Sequence, residues 1–158
     1  MRRSASRTQL PGLNIRTATD ADLRSIVDHY GPGGGDGPWD PLVSIELIQR
    51  IPRRNLLVAE LDGAYAGFAF WHEAWKPWYA PEVNHCARIS DIHVVAMAQG
   101  KGLGRVLLRE TVATIRSEGI PTVFLETSED NVHAQSLYES EGFVRVSPCD
   151  LRYRLDSR

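Results

Sequence analysis

Seven consecutive residues, Gln99-Gly100-Lys101-Gly102-Leu103-Gly104-Arg105, combine three glycines and two cations just ahead of an amphipathic run. The chemistry that suits this combination is the holding of an anion. The first turn of a helix has backbone N–H groups without intrahelical acceptors and a partial positive charge, and glycines let a phosphate approach them closely. Lys101 and Arg105 add mobile positive charge at the same mouth. Two familiar phosphate loops are excluded by spelling. The Walker loop fails because Lys101 is followed by Gly102 rather than Ser or Thr, and the dinucleotide fingerprint fails because Gly102-Leu103-Gly104 continues into Arg105, Val106 and Leu107. By itself the spelling also fits a strand-to-helix turn that holds no ligand.

The flanking residues supply the elements such a turn needs. Ahead of it Cys86 to Val95 reads as a strand, and behind it Leu103, Val106, Leu107, Val112 and Ile115 recur at helical spacing up to Glu118-Gly119. Within the strand Ile89 lies three residues from Ile92, whereas Ile92 and Val94 are two apart. A strict period of two cannot place all three on one face, so a β-bulge around Asp91 is expected, splaying this strand from the next.

The rest of the chain falls into order around this unit. Residues 1–12 are expected to be a disordered tail, and residues 13–158 one domain. Leu13 to Ala18 alternates as a strand, and Thr19 or Asp20 can cap a helix over Ala21 to Asp28. Gly31 to Pro38 holds five glycines in eight residues and must be loop; Trp39 to Arg50 has the pattern of a short helix. Asn55 to Glu60 and Tyr65 to Trp71 form a hairpin about Asp62-Gly63. The proline-broken, aromatic stretch His72 to His85 reads as a loop, either anchored on the surface or walling a pocket. Thr122 to Thr127, Val144 to Val146 and Leu151 to Leu155 are further strands, with a helix from Val132 to Ser140. The sum is an α/β chain, an α+β mixed sheet with helices on both faces.

Composition narrows the class. The chain has 158 residues, 42% of them hydrophobic and 24% charged, with a formal net charge of −2. No general attraction to nucleic acid or to an anionic membrane follows from that balance. Cys86 and Cys149 form no metal-ligand or C-x-x-C spacing, and no apolar run is long enough for a signal or a membrane span. A cytoplasmic, soluble protein with free thiols and no metal is expected.

Two ordered blocks carry a family resemblance. Gln99-x-x-Gly102-x-Gly104 has the Q/R-x-x-G-x-G/A spelling, and F-L-E-T-x-x-x-N, from Phe124 to Asn131, runs into A-x-x-L-Y-E-x-x-G-F, which ends at Phe143. With the opening strand and capped helix, the chain from Leu13 to Leu155 resembles the GNAT superfamily of N-acetyltransferases. The resemblance implies that fold, acetyl-CoA as co-substrate, and direct attack by a primary amine in a ternary complex. It implies cofactor contacts from Ile92, His93 and Val94 through backbone groups, from Gln99, Gly100, Lys101, Gly102, Leu103, Gly104 and Arg105 around the pyrophosphate, and from Asn131 and Tyr138.

Tyr138 lies where the family's general acid lies, and Glu126 where a carboxylate serves as base in some members. An amine acceptor with a pKa of about 10 must lose a proton before it attacks, so a base is required. Several members carry a Glu or His nine residues before the Q/R, where this chain has Ser90. That departure leaves Glu126, Asp91, His93 or ordered water as the base. The acceptor is expected to be a small amine such as an amino acid, polyamine or aminoglycoside-like compound. A protein N-terminus or lysine is the alternative, a non-catalytic CoA-binding sensor is the rival of another class, and a homodimer is possible.

Overall fold

The fold was described from a computed structural model, which covers residues 10–30, 48–147 and 151–157. The expected tail up to residue 9, the glycine-rich loop and almost all of the helix expected up to Arg50 lie outside the described residues, as does Cys149.

Seven strands form one mixed sheet in the order β1-β2-β3-β4-β5-β7-β6: β1 Leu13–Thr17, β2 Leu56–Leu61, β3 Ala64–Trp75, β4 His85–Val94, β5 Thr122–Glu126, β6 Val144–Arg145 and β7 Arg152–Asp156. Among the described residues only β4 and β5 pair in parallel, joined by the crossover helix α2, Leu103–Ser117. Helix α1, Asp22–Tyr30, precedes it, and α3, Val132–Ser140, follows β5. The α/β class, the mixed sheet and the hairpin at Asp62-Gly63 are therefore as expected. No helix among the described residues is long and apolar enough to cross a membrane.

Alternation along β3 assigns the two faces of the sheet. Phe68 packs with Leu23 and Ile26 of α1, whereas its neighbour Ala69 packs with Leu103 and Leu107 of α2. Further along α2, Leu108, Val112 and Ile115 close over Trp71, Ile89, Val123 and Leu125. Each such side chain, once buried, contributes about 2 kcal/mol of hydrophobic stabilisation. Val106, expected in this stripe, is only partly buried, and Leu108 and Thr111 take its place. Thr111 is accommodated because its hydroxyl donates to the Leu107 carbonyl one turn back, at 2.7 Å.

One expectation fails. His72 to Trp75 is not loop but the end of β3, with Trp71 through Trp75 paired to Ile89 through His85. Trp71 is fully buried, and Trp75 stacks on His85 at 3.9 Å between ring centroids. The prolines at 77 and 81 break the chain only after the ladder ends, so the loop is confined to residues 76–84.

Candidate functional site

β4 runs beside β3 along its whole length, but Ser90 has no opposite number there. Phe70 faces Asp91 and Trp71 faces Ile89, so Ser90 is the extra residue of a β-bulge, where the uneven apolar spacing required one. On the other side β4 pairs with β5 only at Cys86, Ala87 and Arg88. Among the described residues no second strand pairs with β4 from Ile92 to Val94.

The glycine turn stands at the end of that stretch. Gln99 donates its side-chain amide to the Val94 carbonyl at 3.0 Å, which ties the turn to the strand. Gly102, at φ 81°, is the N-cap of α2, and no side chain caps the helix there. A Cβ at Gly100 or Gly102 would meet nothing within 4 Å, so the space before the helix is open. The first amides of a fifteen-residue helix thus face outward without a side-chain acceptor and with no acidic residue in the first turn. These features fit a bound pyrophosphate. Lys101 is exposed at the mouth. Arg105 is partly committed elsewhere: it donates to Ser140 Oγ at 2.8 Å and pairs with Glu141, which Arg109 also holds at 2.6 Å. Burial alone would raise the Glu141 carboxyl, but the Arg109 and Arg105 guanidiniums outweigh it and leave the group below the usual range.

Gly67 has a different reason to be glycine. It lies across from Val94, and a Cβ there would fall on the His93 carbonyl oxygen, so β3 can approach the open half of β4 only without a side chain.

Helix α3 lies near the start of α2, where a Cβ at Gly104 would come within 3.9 Å of Leu137 Cδ2. Asn131 is its N-cap, with Oδ1 accepting from Ala134 N at 3.1 Å. Tyr138 packs on Phe143 and edge-on to Tyr153, at 6.1 and 5.8 Å between centroids. Its hydroxyl pKa is pushed up to about 12, first by burial, then by the charges of Asp91 and Tyr153. Tyr65, partly buried and tilted against the His29 ring at 4.7 Å between centroids, is likewise pushed up by burial and by Asp91. The charge of Asp91, beside the bulge, thus acts on both phenols.

Glu126 lies at the end of β5, across a network the sequence did not reveal. One of its oxygens accepts from Arg88 and the other from Arg152, each at 2.9 Å. Arg152 in turn lies over the Tyr79 ring at 3.9 Å and the Trp78 ring at 5.6 Å. The aromatic loop thus holds a guanidinium that holds Glu126, while Trp78 remains 82% exposed. His72 was missed as well: its Nδ1 lies 2.7 Å from Ser90 Oγ. Only the bulge, which brings Ser90 round to the His72 side, could have announced it. Among the described residues no group of His, Cys, Asp or Glu could hold a metal ion.

A mixed sheet with a bulge beside an uncapped, glycine-led helix is the arrangement that the sequence resemblance implied. The acetyltransferase (GNAT) family profile matches residues 22–143, and the chain belongs to that family, whose enzymes take their acetyl group from acetyl-CoA. It is similar to the mycothiol acetyltransferase of Thermomonospora curvata, 32% identical over 94% of this chain and 46% of that protein. The corresponding protein of Frankia casuarinae is 30% identical over 87% of this chain and 40% of its own length. The chain thus spans less than half the length of these relatives. Among solved structures, the ribosomal-protein-alanine N-acetyltransferase of Brucella melitensis superposes with a TM-score of 0.74 at 22% identity, covering 90% of this chain and 99% of that one. YncA of Salmonella typhimurium, solved with its cofactor acetyl-CoA, superposes at 0.72 with 20% identity, over 93% and 95% of the two chains.

Proposed function

We propose that the protein is a cytoplasmic N-acetyltransferase that passes the acetyl group of acetyl-CoA directly to the amine of a small molecule. The observation that carries this reading is the junction of the open edge of β4 with the uncapped start of α2. The Ile92–Val94 backbone would pair with an extended pantetheine arm, as one more strand would. Residues 99–105 would hold the pyrophosphate, Gly100 and Gly102 leaving room and Lys101 adding charge, with Asn131 flanking it.

Tyr138 is the proton donor in this reading. With its pKa pushed up to about 12, it keeps its proton throughout the physiological range and can supply it to the departing thiolate. Glu126, the expected base, is less suited to that part. Both its oxygens already accept from guanidiniums, those of Arg88 and Arg152. Its first role is to hold those two arginines on the acceptor side of the sheet.

The small-molecule acceptor is favoured by the name of the relatives at 30–32% identity, mycothiol acetyltransferase. A peptide or lysine acceptor is the second reading. The structural neighbour named for a ribosomal protein is at 22% identity, a level that speaks for fold and not for acceptor.

The test is thiol release from acetyl-CoA with amino acids, polyamines, aminoglycosides and peptides as acceptors. One small-amine class should release thiol, and Tyr138→Phe should lower kcat ~10²-fold or more while acetyl-CoA still raises Tm. Stabilisation by acetyl-CoA without thiol release for any acceptor would make the protein a CoA-binding sensor instead.

A further inference from the structure

An acceptor amine must lose a proton, and the carboxylate first expected to take it, Glu126, is held by two guanidiniums. The bulge offers another route. Ser90, the extra residue of β4, is exposed and stands next to Asp91, whose charge reaches the Tyr138 hydroxyl. The Ser90 hydroxyl therefore stands at the bulge, two residues before Ile92, where among the described residues β4 pairs with β3 alone. It also lies 2.7 Å from Nδ1 of His72, an exposed residue on the neighbouring strand. We infer that Ser90 and His72 form a proton relay leading from the acceptor nitrogen to solvent.

The relay balances. The acceptor nitrogen gives a proton to Ser90 Oγ while the original hydroxyl proton passes to His72 Nδ1. One N–H and one O–H bond break, one O–H and one N–H bond form, and the hydroxyl is regenerated. His72 becomes an imidazolium and loses its proton to water at its exposed edge. This requires the neutral ring to carry its proton on Nε2 beforehand, so that Nδ1 accepts from the hydroxyl.

The surroundings of His72 favour that starting state. Partial burial of the ring, and then the Arg88 guanidinium across the strand pair, hold its pKa below the ordinary histidine value, which favours the neutral ring. The other charged or titratable groups on adjoining elements include Asp91, His93 and His85 on β4, Glu126 on β5, which Arg88 and Arg152 hold, and Glu73 on β3, which Arg54 and His85 hold. The hydrogen-bond partner of His72 is a serine hydroxyl.

The inference rests on the acetyltransferase reading, and its test separates the two. With an acceptor that supports thiol release, kcat/KM of the wild type should fall toward low pH with a slope of about one while only the amine is protonated. Below the pKa of His72 it should steepen to about two. His72→Gln should keep acetyl-CoA stabilisation, lose the steeper limb and lower kcat ~10²-fold; Ser90→Ala should do the same. The double variant should be no slower than either single one, as expected of groups acting in series. Should His72→Gln fail to fold, Ser90→Ala at an exposed position still decides the matter. A limb of slope two kept in both variants, with kcat within about twofold of wild type, overturns the relay and leaves the acetyltransferase intact. No thiol release by the wild type with any amine overturns both.

Discussion

Over Cys86 to Arg88, β4 has a strand on each side, β3 and β5; over Ile92 to Val94 only β3 remains among the described residues. At the closed end Cys86 and Ala87 are fully buried, Trp71 and Ile89 fill the core opposite α2, and backbone groups are paired on both edges. At the open end Ile92, His93 and Val94 are only partly buried, and a glycine-led helix start faces the gap. Ser90, one extra residue, lies between the two regimes. The same strand is therefore scaffold at one end and ligand edge at the other, and the bulge is what permits both. A strand paired throughout would have no backbone left to offer; one unpaired throughout would have no stability to hold its shape.

Substitutions at the two ends should therefore fail in different ways. At the closed end Trp71→Ala empties a fully buried site and should cost about 4 kcal/mol of stability by chemical denaturation. The folded fraction should still be stabilised by acetyl-CoA. At the open end Gly102→Ala places a Cβ in free space but at a φ of 81°, so the backbone strain should cost about 1 kcal/mol. Its larger effect should be on the ligand, with acetyl-CoA affinity reduced about tenfold as read from the shift in Tm. Equal losses of affinity in the two variants would break the distinction between scaffold and ligand edge.

The smallest effect is expected away from β4 altogether, at the Arg16–Asp22 pair that joins β1 to α1. The hydrogen bond from Arg16 outweighs burial and lowers the Asp22 carboxyl to about 2 from an ordinary 3.8. The folded-state value is depressed, so the stabilisation is present above the unfolded value and is lost as pH falls through about 2. Discounted for solvent screening it amounts to about 1 kcal/mol, visible as a lower denaturation midpoint. Asp22→Asn should remove that component of the acid dependence while leaving acetyl-CoA binding unchanged.

Legibility followed the range of the interactions. The turn at residues 99–105, α2, the hairpin and the bulge were all readable, because each is written in spacings of a few residues. The end of β3 was not: His72 to Trp75 read as part of a broken aromatic loop until pairing with His85 to Arg88 made it strand. The surroundings of Glu126 were out of reach for the same reason, since Arg88 lies 38 residues before it and Arg152 lies 26 after.

What the sequence by itself determined is the set of parts: a glycine-led helix start, a strand whose apolar period must slip near Asp91, and a Tyr138 on the helix after β5. Local sterics, caps and periodicity fix these without reference to the rest of the chain. What only the tertiary structure decided is which polar groups meet. Strand register placed Arg88 and Arg152 on Glu126, and the bulge turned Ser90 toward His72, 18 residues away. A hydrogen bond is specified within a few tenths of an ångström, and over such separations only the packed sheet supplies that precision.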